Sequence, residues 1–326
     1  MFRLPLFLLF LLALNSCLNI ETSDKVGKIE LIDTTTVADY TIQEYSAISL
    51  IGKKLYPPPL SSRDKSKREQ QLSEALVNFN SYPDSLDFII WFGRRLSYLF
   101  LYNEAITVYT EGLRKFPNSY ELYRHRGHRF LTIREFDNAI ADLQKAAFLM
   151  RNEPIKMEIS GSSGVRNIPR SSVQFNVWYH LGLAYYLKGN YDKSVSAYKQ
   201  CLALANNDDM IVSATDWLYM TYRRLGNQVA ANELLEGIHS RMNVIEKKSY
   251  LRKLLYYKNS RRPDQLFDLE KTDLSAQQMT FGYGVGNWYY YNGNTEKALE
   301  IFNKMMGSDS WPSFGYLAAE VELANQ

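Results

Sequence analysis

Apolar residues recur along most of the chain at helical spacing, and the elements they predict are helices. Residues 62–80 open polar and then carry Leu72, Leu76 and Phe79 on one stripe, which predicts a helix closed by Tyr82-Pro83. Upstream, residues 38–55 read as another helix, ended by Pro57, Pro58 and Pro59, because proline lacks the amide a helix interior needs. Further on the pattern becomes periodic. Gly93 and Gly127 lie 34 residues apart, as do Ala105 and Ala139. A fixed period of that size marks stacked supersecondary units rather than a single layered core.

The fullest copy of the repeat runs Trp178, Leu181, Gly182, Tyr185, then Gly189, Tyr191 and Tyr198. Others run Leu218, Tyr222, Gly226, Ala231, Leu235, and Val285, Gly286, Tyr289, Gly293, Ala298, Phe302, Pro312. This spacing resembles the tetratricopeptide pattern W-x2-L-G-x2-Y, A-x3-F, P, with Ser194 where alanine is usual. The resemblance implies an all-α fold: an α-solenoid of antiparallel helix pairs, a TPR-like superhelix, over residues 86–326. Small residues let the helices of each pair approach, aromatics fill the space between them, and Gly-Asn turns end the first helix. Residues 242–278 are expected to hold a degenerate copy with Leu251 and Leu255 facing inward. The longer gap between Gly127 and Gly182 places a loop insert at residues 152–172, rich in Gly, Ser and Pro. Helices within residues 38–85 and residues 313–325 are expected to cover the two ends of the array.

The N-terminus has its own logic. Met1, Phe2 and Arg3 precede an apolar run, residues 4–14, that is shorter than the roughly 20 residues needed to span a bilayer. Residues 1–16 therefore read as a signal peptide. Leu14-Asn15-Ser16-Cys17 resembles a bacterial lipobox, which implies that Cys17 carries lipid and that residues 17–37 form a flexible tether behind it. Only one other cysteine exists, Cys201, inside a repeat where a small buried residue is expected, so no disulfide framework is predicted. The implied location is the cell envelope, on the periplasmic face of the outer membrane, held there by the lipid anchor alone.

Composition narrows the partners. A net charge of +3, from 38 basic and 35 acidic residues spread along the chain, lacks the basic excess of a nucleic-acid binder. Aromatic residues make up 14%, including 24 Tyr, more than the core needs, so some are expected to line a surface. Positions around the repeat glycine select the concave candidates: Arg94, Tyr98, Arg124, His125, His128, Asn176, Tyr179, His180, Asp216 and Trp217. In the run Arg124-His125-Arg126-Gly127-His128-Arg129, Arg126 needs a carboxylate such as Asp142 if the repeat is to pack. The run reads either as an anion seat built of guanidinium forks and imidazoles, or as a solvated basic face. Carboxylate-clamp tetratricopeptide domains read acidic tails with Lys, Arg and Asn on the same helices, and that mode alone is implied for Arg94, Arg124 and Asn176. The Arg124–Arg129 and Trp178–Gly189 segments also resemble a group of bacterial tetratricopeptide proteins, a likeness that implies no activity.

No metal site is predicted, because the histidines lack a Glu or Cys companion in a zinc motif and arginines surround them. No cofactor and no catalytic motif is expected either. Three functions stand at this point: a scaffold or assembly factor binding a protein or peptide partner with acidic groups, a small-ligand or catalytic protein whose insert closes over the Arg and His cluster, and a structural subunit whose groove the insert fills.

Overall fold

The computed structural model describes residues 45–159, 169–259, 266–270 and 274–326. The signal peptide, Cys17, the tether and the middle of the insert lie outside these residues. The first element corrects the expectation of a helix at residues 38–55: from residue 45 onward this stretch is a hairpin, β1 (Ala47–Ile48) paired antiparallel with β2 (Lys54–Leu55). Gly52, at φ +78°, turns the chain, and Ser49 N–H donates to the Lys53 carbonyl at 2.8 Å. A glycine in the left-handed region inside a short β-branched run is a turn signal that outweighs the downstream prolines.

From there the described chain is an all-α solenoid. The helix α1 (Ser62–Ser81), expected at residues 62–80, is capped by Ser61 Oγ on the Asp64 amide. Four helix pairs follow: α2 (Leu86–Tyr98) with α3 (Tyr102–Lys115), α4 (Tyr120–Thr132) with α5 (Phe136–Leu149), α6 (Val173–Leu187) with α7 (Tyr191–Leu204), and α8 (Asp208–Arg224) with α9 (Gln228–Glu236). After α10 (Lys248–Lys258) come α11 (Ala276–Tyr291), α12 (Thr295–Met305) and α13 (Phe314–Ala324).

The repeat chemistry explains the pairing. A Cβ on Gly93 would sit 2.3 Å from the Tyr109 ring, on Gly127 2.9 Å from Leu143, on Gly182 2.9 Å from Tyr198, and on Gly286 2.4 Å from Phe302. In these four pairs, α2 with α3, α4 with α5, α6 with α7 and α11 with α12, the first helix touches the second through a glycine that admits one large side chain. Five of the turns repeat one pattern, in which the residue three past the last helical one donates back to the carbonyl of the helix's third-last residue, as in Asn190 to Tyr185 and Asn294 to Tyr289. Gly189, Gly226 and Gly293 take the left-handed position in three of them, whereas Phe100 and Arg134 hold it in the first two.

Arg126 finds Asp142 as expected, with Nε at 2.7 Å and Nη2 at 2.8 Å from the two carboxylate oxygens. The degenerate repeat is offset: in α10 it is Lys253, Leu254 and Tyr257 that are buried, while Leu251 and Leu255 are half-buried. The insert is not a bare loop at its base, since β3 (Met157–Glu158) pairs antiparallel with β4 (Ser171–Ser172).

The C-terminal helix does more than cover the last pair. It packs on α11 and α12, and Gly315 lies so close to α11 that a Cβ would meet the Met279 carbonyl oxygen at 2.2 Å. It also crosses the concave side. Glu320 pairs with Arg134 at 2.6 Å, both side chains buried, and Glu322 pairs with Arg224 at 3.0 Å. The Leu50 amide of the N-terminal hairpin donates to Glu320 Oε1 at 2.6 Å, and Trp311 Nε1 donates to the Tyr56 carbonyl. Among the described residues no helix is long and apolar enough to cross a membrane.

Candidate functional site

The first helices α2, α4, α6 and α8 line the inner side of the superhelix, and what α13 leaves open between them is a cavity of about 480 Å³. Eight of the ten sequence candidates line it: Arg94 and Tyr98 from α2, Arg124, His125 and His128 from α4, and Asn176, Tyr179 and His180 from α6. Six of them meet because their places relative to the repeat glycine recur: Arg94 and His128 one residue after it, His125 and His180 two before, Arg124 and Tyr179 three before, so stacking the repeats stacks these side chains. His128 and His180 rings lie 4.1 Å apart between centroids, and Phe314 of α13 closes on both at 5.5 Å.

Asp216 and Trp217 are corrections. Both are buried away from the cavity: Asp216 Oδ2 lies 2.8 Å from Lys253 Nζ, and Trp217 stacks on Tyr283 and meets Tyr186 edge-on. Position in the repeat was right, but α8 has its neighbours α10 and α11 pressed on that face. Arg124 and His125 are each less than a tenth exposed, and Arg126, His128 and Arg129 are half-buried, so the run is not a fully solvated face.

Burial shapes the electrostatics. Desolvation, reinforced by the nearby Arg124, Arg94 and Arg129, pulls the His125 imidazole well below its ordinary value. Desolvation does the same to His128 and His180, helped by Arg129 and Arg124. All three are therefore neutral at neutral pH. Arg124 is held by Glu158 of the insert, with Nη2 at 3.1 Å from Oε1, while its Nη1 donates to His125 Nδ1 at 2.9 Å and its Nε has no partner. Arg94 donates to Tyr98 Oη and to the Ile159 carbonyl, which ties the insert's first strand to α2.

Several cavity-lining residues were not among the sequence candidates. Arg129, the last residue of the run read as an anion seat, stacks on Tyr102, and no carboxylate pairs with it among the described residues. Arg170 and Asp209 pair at 2.7 Å across the mouth, and Asp209 also accepts from the Ile245, Glu246 and Lys247 amides, pinning that loop to the start of α8. Desolvation would raise the Asp209 carboxyl, but those amides and Arg170 outweigh it and hold the carboxyl low. Arg129 could have been found from its helical spacing. Lys247, Tyr250 and Phe314 come from elements outside the pair pattern and left no periodic signal.

Among the described residues no group of three or more His, Cys, Asp or Glu could hold a metal ion. Cys201 is buried, and burial pushes its thiol up, away from a reactive thiolate.

Comparison with known proteins places a tetratricopeptide repeat at residues 175–208, the α6–α7 pair. The chain is similar to two solved structures at low identity. YrrB, described as a TPR protein with an unusual peptide-binding site, is 15% identical with a TM-score of 0.41, over 71% of this chain and 89% of that one. Naa15/Naa10 bound to HypK-THB is 15% identical with a TM-score of 0.37, over 75% of this chain and 34% of that one. No curated protein sequence matches the chain.

Proposed function

We propose that this protein is a non-catalytic, helical-repeat binding scaffold of the cell envelope whose concave cavity receives an acidic group of a protein partner. The observation that carries the reading is the excess of cationic and donor groups over acids in that cavity. Of the three acids that line it, Glu158 and Asp209 are paired with Arg124 and Arg170, and Glu246 alone stands against Arg94, Arg129 and Lys247, none of which has a carboxylate partner among the described residues. A cavity already lined with fixed donors suits an anion, since little ordering is required of the protein on binding. In this reading the lipobox-like Cys17 anchors the chain at the periplasmic face of the outer membrane. The tether then sets how far the array reaches from it.

The test is crosslinked capture of partners from intact envelopes with wild-type protein and with the double variant Arg129→Gln/Lys247→Gln. Neither side chain holds another part of the fold through an ion pair, so melting should hardly move. Capture should be lost, because a charge-assisted contact at a desolvated interface is worth on the order of 2 to 5 kcal/mol. A folded double variant that still captures every partner would rule the cavity out as the recognition surface.

A further inference from the structure

The hydrogen bonds around the two deepest imidazoles set their tautomers in opposite senses. His125 Nδ1 faces the Arg124 guanidinium at 2.9 Å, and a guanidinium only donates, so Nδ1 is the acceptor and the proton of the neutral ring sits on Nε2. His180 Nδ1 faces the Asn176 carbonyl, which only accepts, so there the proton sits on Nδ1 and Nε2 is a bare lone pair. Among the described residues neither Nε2 has a protein partner, and neither is a sealed, orphaned atom; both rings line the cavity. The same wall carries the charge of Arg124 and Arg129, the latter without a carboxylate partner among the described residues. One side of the site therefore offers donors and positive charge, and the neighbouring His180 ring offers an acceptor whose tautomer is fixed. The remaining surface is aromatic, with Tyr109, Phe175, Tyr179 and Phe314 facing in. An isolated inorganic anion would leave the aromatic wall unused.

We propose that the cavity binds a carboxylate that carries an O–H or N–H donor on its α-carbon and an apolar body, as an α-hydroxy acid or an N-acylated α-amino acid does. The carboxylate faces Arg124, Arg129 and His125 Nε2–H, the donor meets His180 Nε2, and the body lies on the aromatic wall. This rests on the cavity being the recognition site, and it specifies what the acidic group must look like. A buried acceptor left unpaired by the wrong ligand is what gives such a site its selectivity.

The experiment is titration calorimetry on the full chain with four probes: 3-phenyllactate, N-acetyl-phenylalanine, 3-phenylpropionate, which lacks the donor, and N-acetyl-phenylalanine amide, which lacks the charge. The first two should bind, the third about tenfold more weakly, and the amide more weakly still. In His180→Phe, phenyllactate and phenylpropionate should become equal, while the charge dependence persists. Equal affinity of those two acids for the wild type overturns the proposal without any variant, and so does failure of every acid to bind. That second failure, with envelope capture still lost in Arg129→Gln/Lys247→Gln, would leave the partner reading standing; binding of the acids with capture unchanged would sink the partner reading alone. An acetylated hexapeptide ending in phenylalanine separates the sources: competition at equal strength assigns the ligand to a polypeptide end, and exclusion assigns it to a free acid.

Discussion

His125, His128 and His180 are three of the four histidines in the chain, and all three face one cavity. Each imidazole, pulled down in the fold, binds fewer protons folded than unfolded between its native value and about 6.5, the unfolded value. Stability therefore rises with pH across that window and is lost on acidification, by up to about 1.4 kcal/mol per pH unit for each ring. The melting temperature is expected to fall steeply from about pH 7 to about pH 5, and to flatten in His125→Gln/His128→Gln/His180→Gln. A wild-type profile as flat as the variant's would mean that the rings protonate freely in the fold. Their convergence was legible from their places beside Gly127 and Gly182. Their burial was not, because the groups that cover them, Phe314 and the strand bearing Glu158, belong to segments outside the repeat.

At the level of the helix pair, the glycine contacts carry the architecture. In Gly182→Leu the first new carbon would already meet the Tyr198 ring at 2.9 Å, and the rest of the side chain would drive α6 off α7. The expected cost is about 1 to 3 kcal/mol, read as a lower midpoint in urea at unchanged slope. No change would mean that Tyr198 moves aside freely. Ser194, the departure from the usual alanine, is accommodated because its hydroxyl donates to the Gly182 carbonyl at 2.9 Å, so the polar atom is satisfied where alanine would offer none. The two elements misread from sequence, the hairpin and the offset α10, share a cause. Both lie where the repeat pattern fades, and there local turn chemistry and neighbouring helices decide the face.

For the molecule as a whole, the concave side is partly occupied by the chain's own last helix. Arg134 holds a left-handed turn position at φ +73° that glycine fills in later repeats, and in exchange its guanidinium reaches the buried Glu320. Arg134→Gly relieves roughly 1 kcal/mol of backbone strain but strands that carboxylate, at a cost of about 3 to 5 kcal/mol. The variant should be less stable by chemical denaturation; a more stable variant would show that Glu320 is solvated when α13 is free. Attachment is a separate matter. Cys17→Ser should release the full chain into the soluble fraction, since no described helix can span a bilayer and acyl chains would supply the anchoring. Membrane retention of that variant after a salt wash would count against the lipid anchor.

The period of the repeat, its small residues and its aromatics were enough to determine the helix pairs and which face of α2, α4 and α6 turns inward. Those are local consequences of spacing, copied along the chain, and so they are written in every repeat. Closure of the cavity was decided only by the tertiary structure. The contacts that make it, Arg134 with Glu320 across 186 positions and Leu50 with Glu320 across 270, join segments that share no period. Burial of a charge is likewise invisible in a sequence, because it depends on whether a carboxylate from elsewhere arrives to pair with it. That arrival is what turned Arg124 from one basic residue in a polar run into a buried, paired part of the cavity wall.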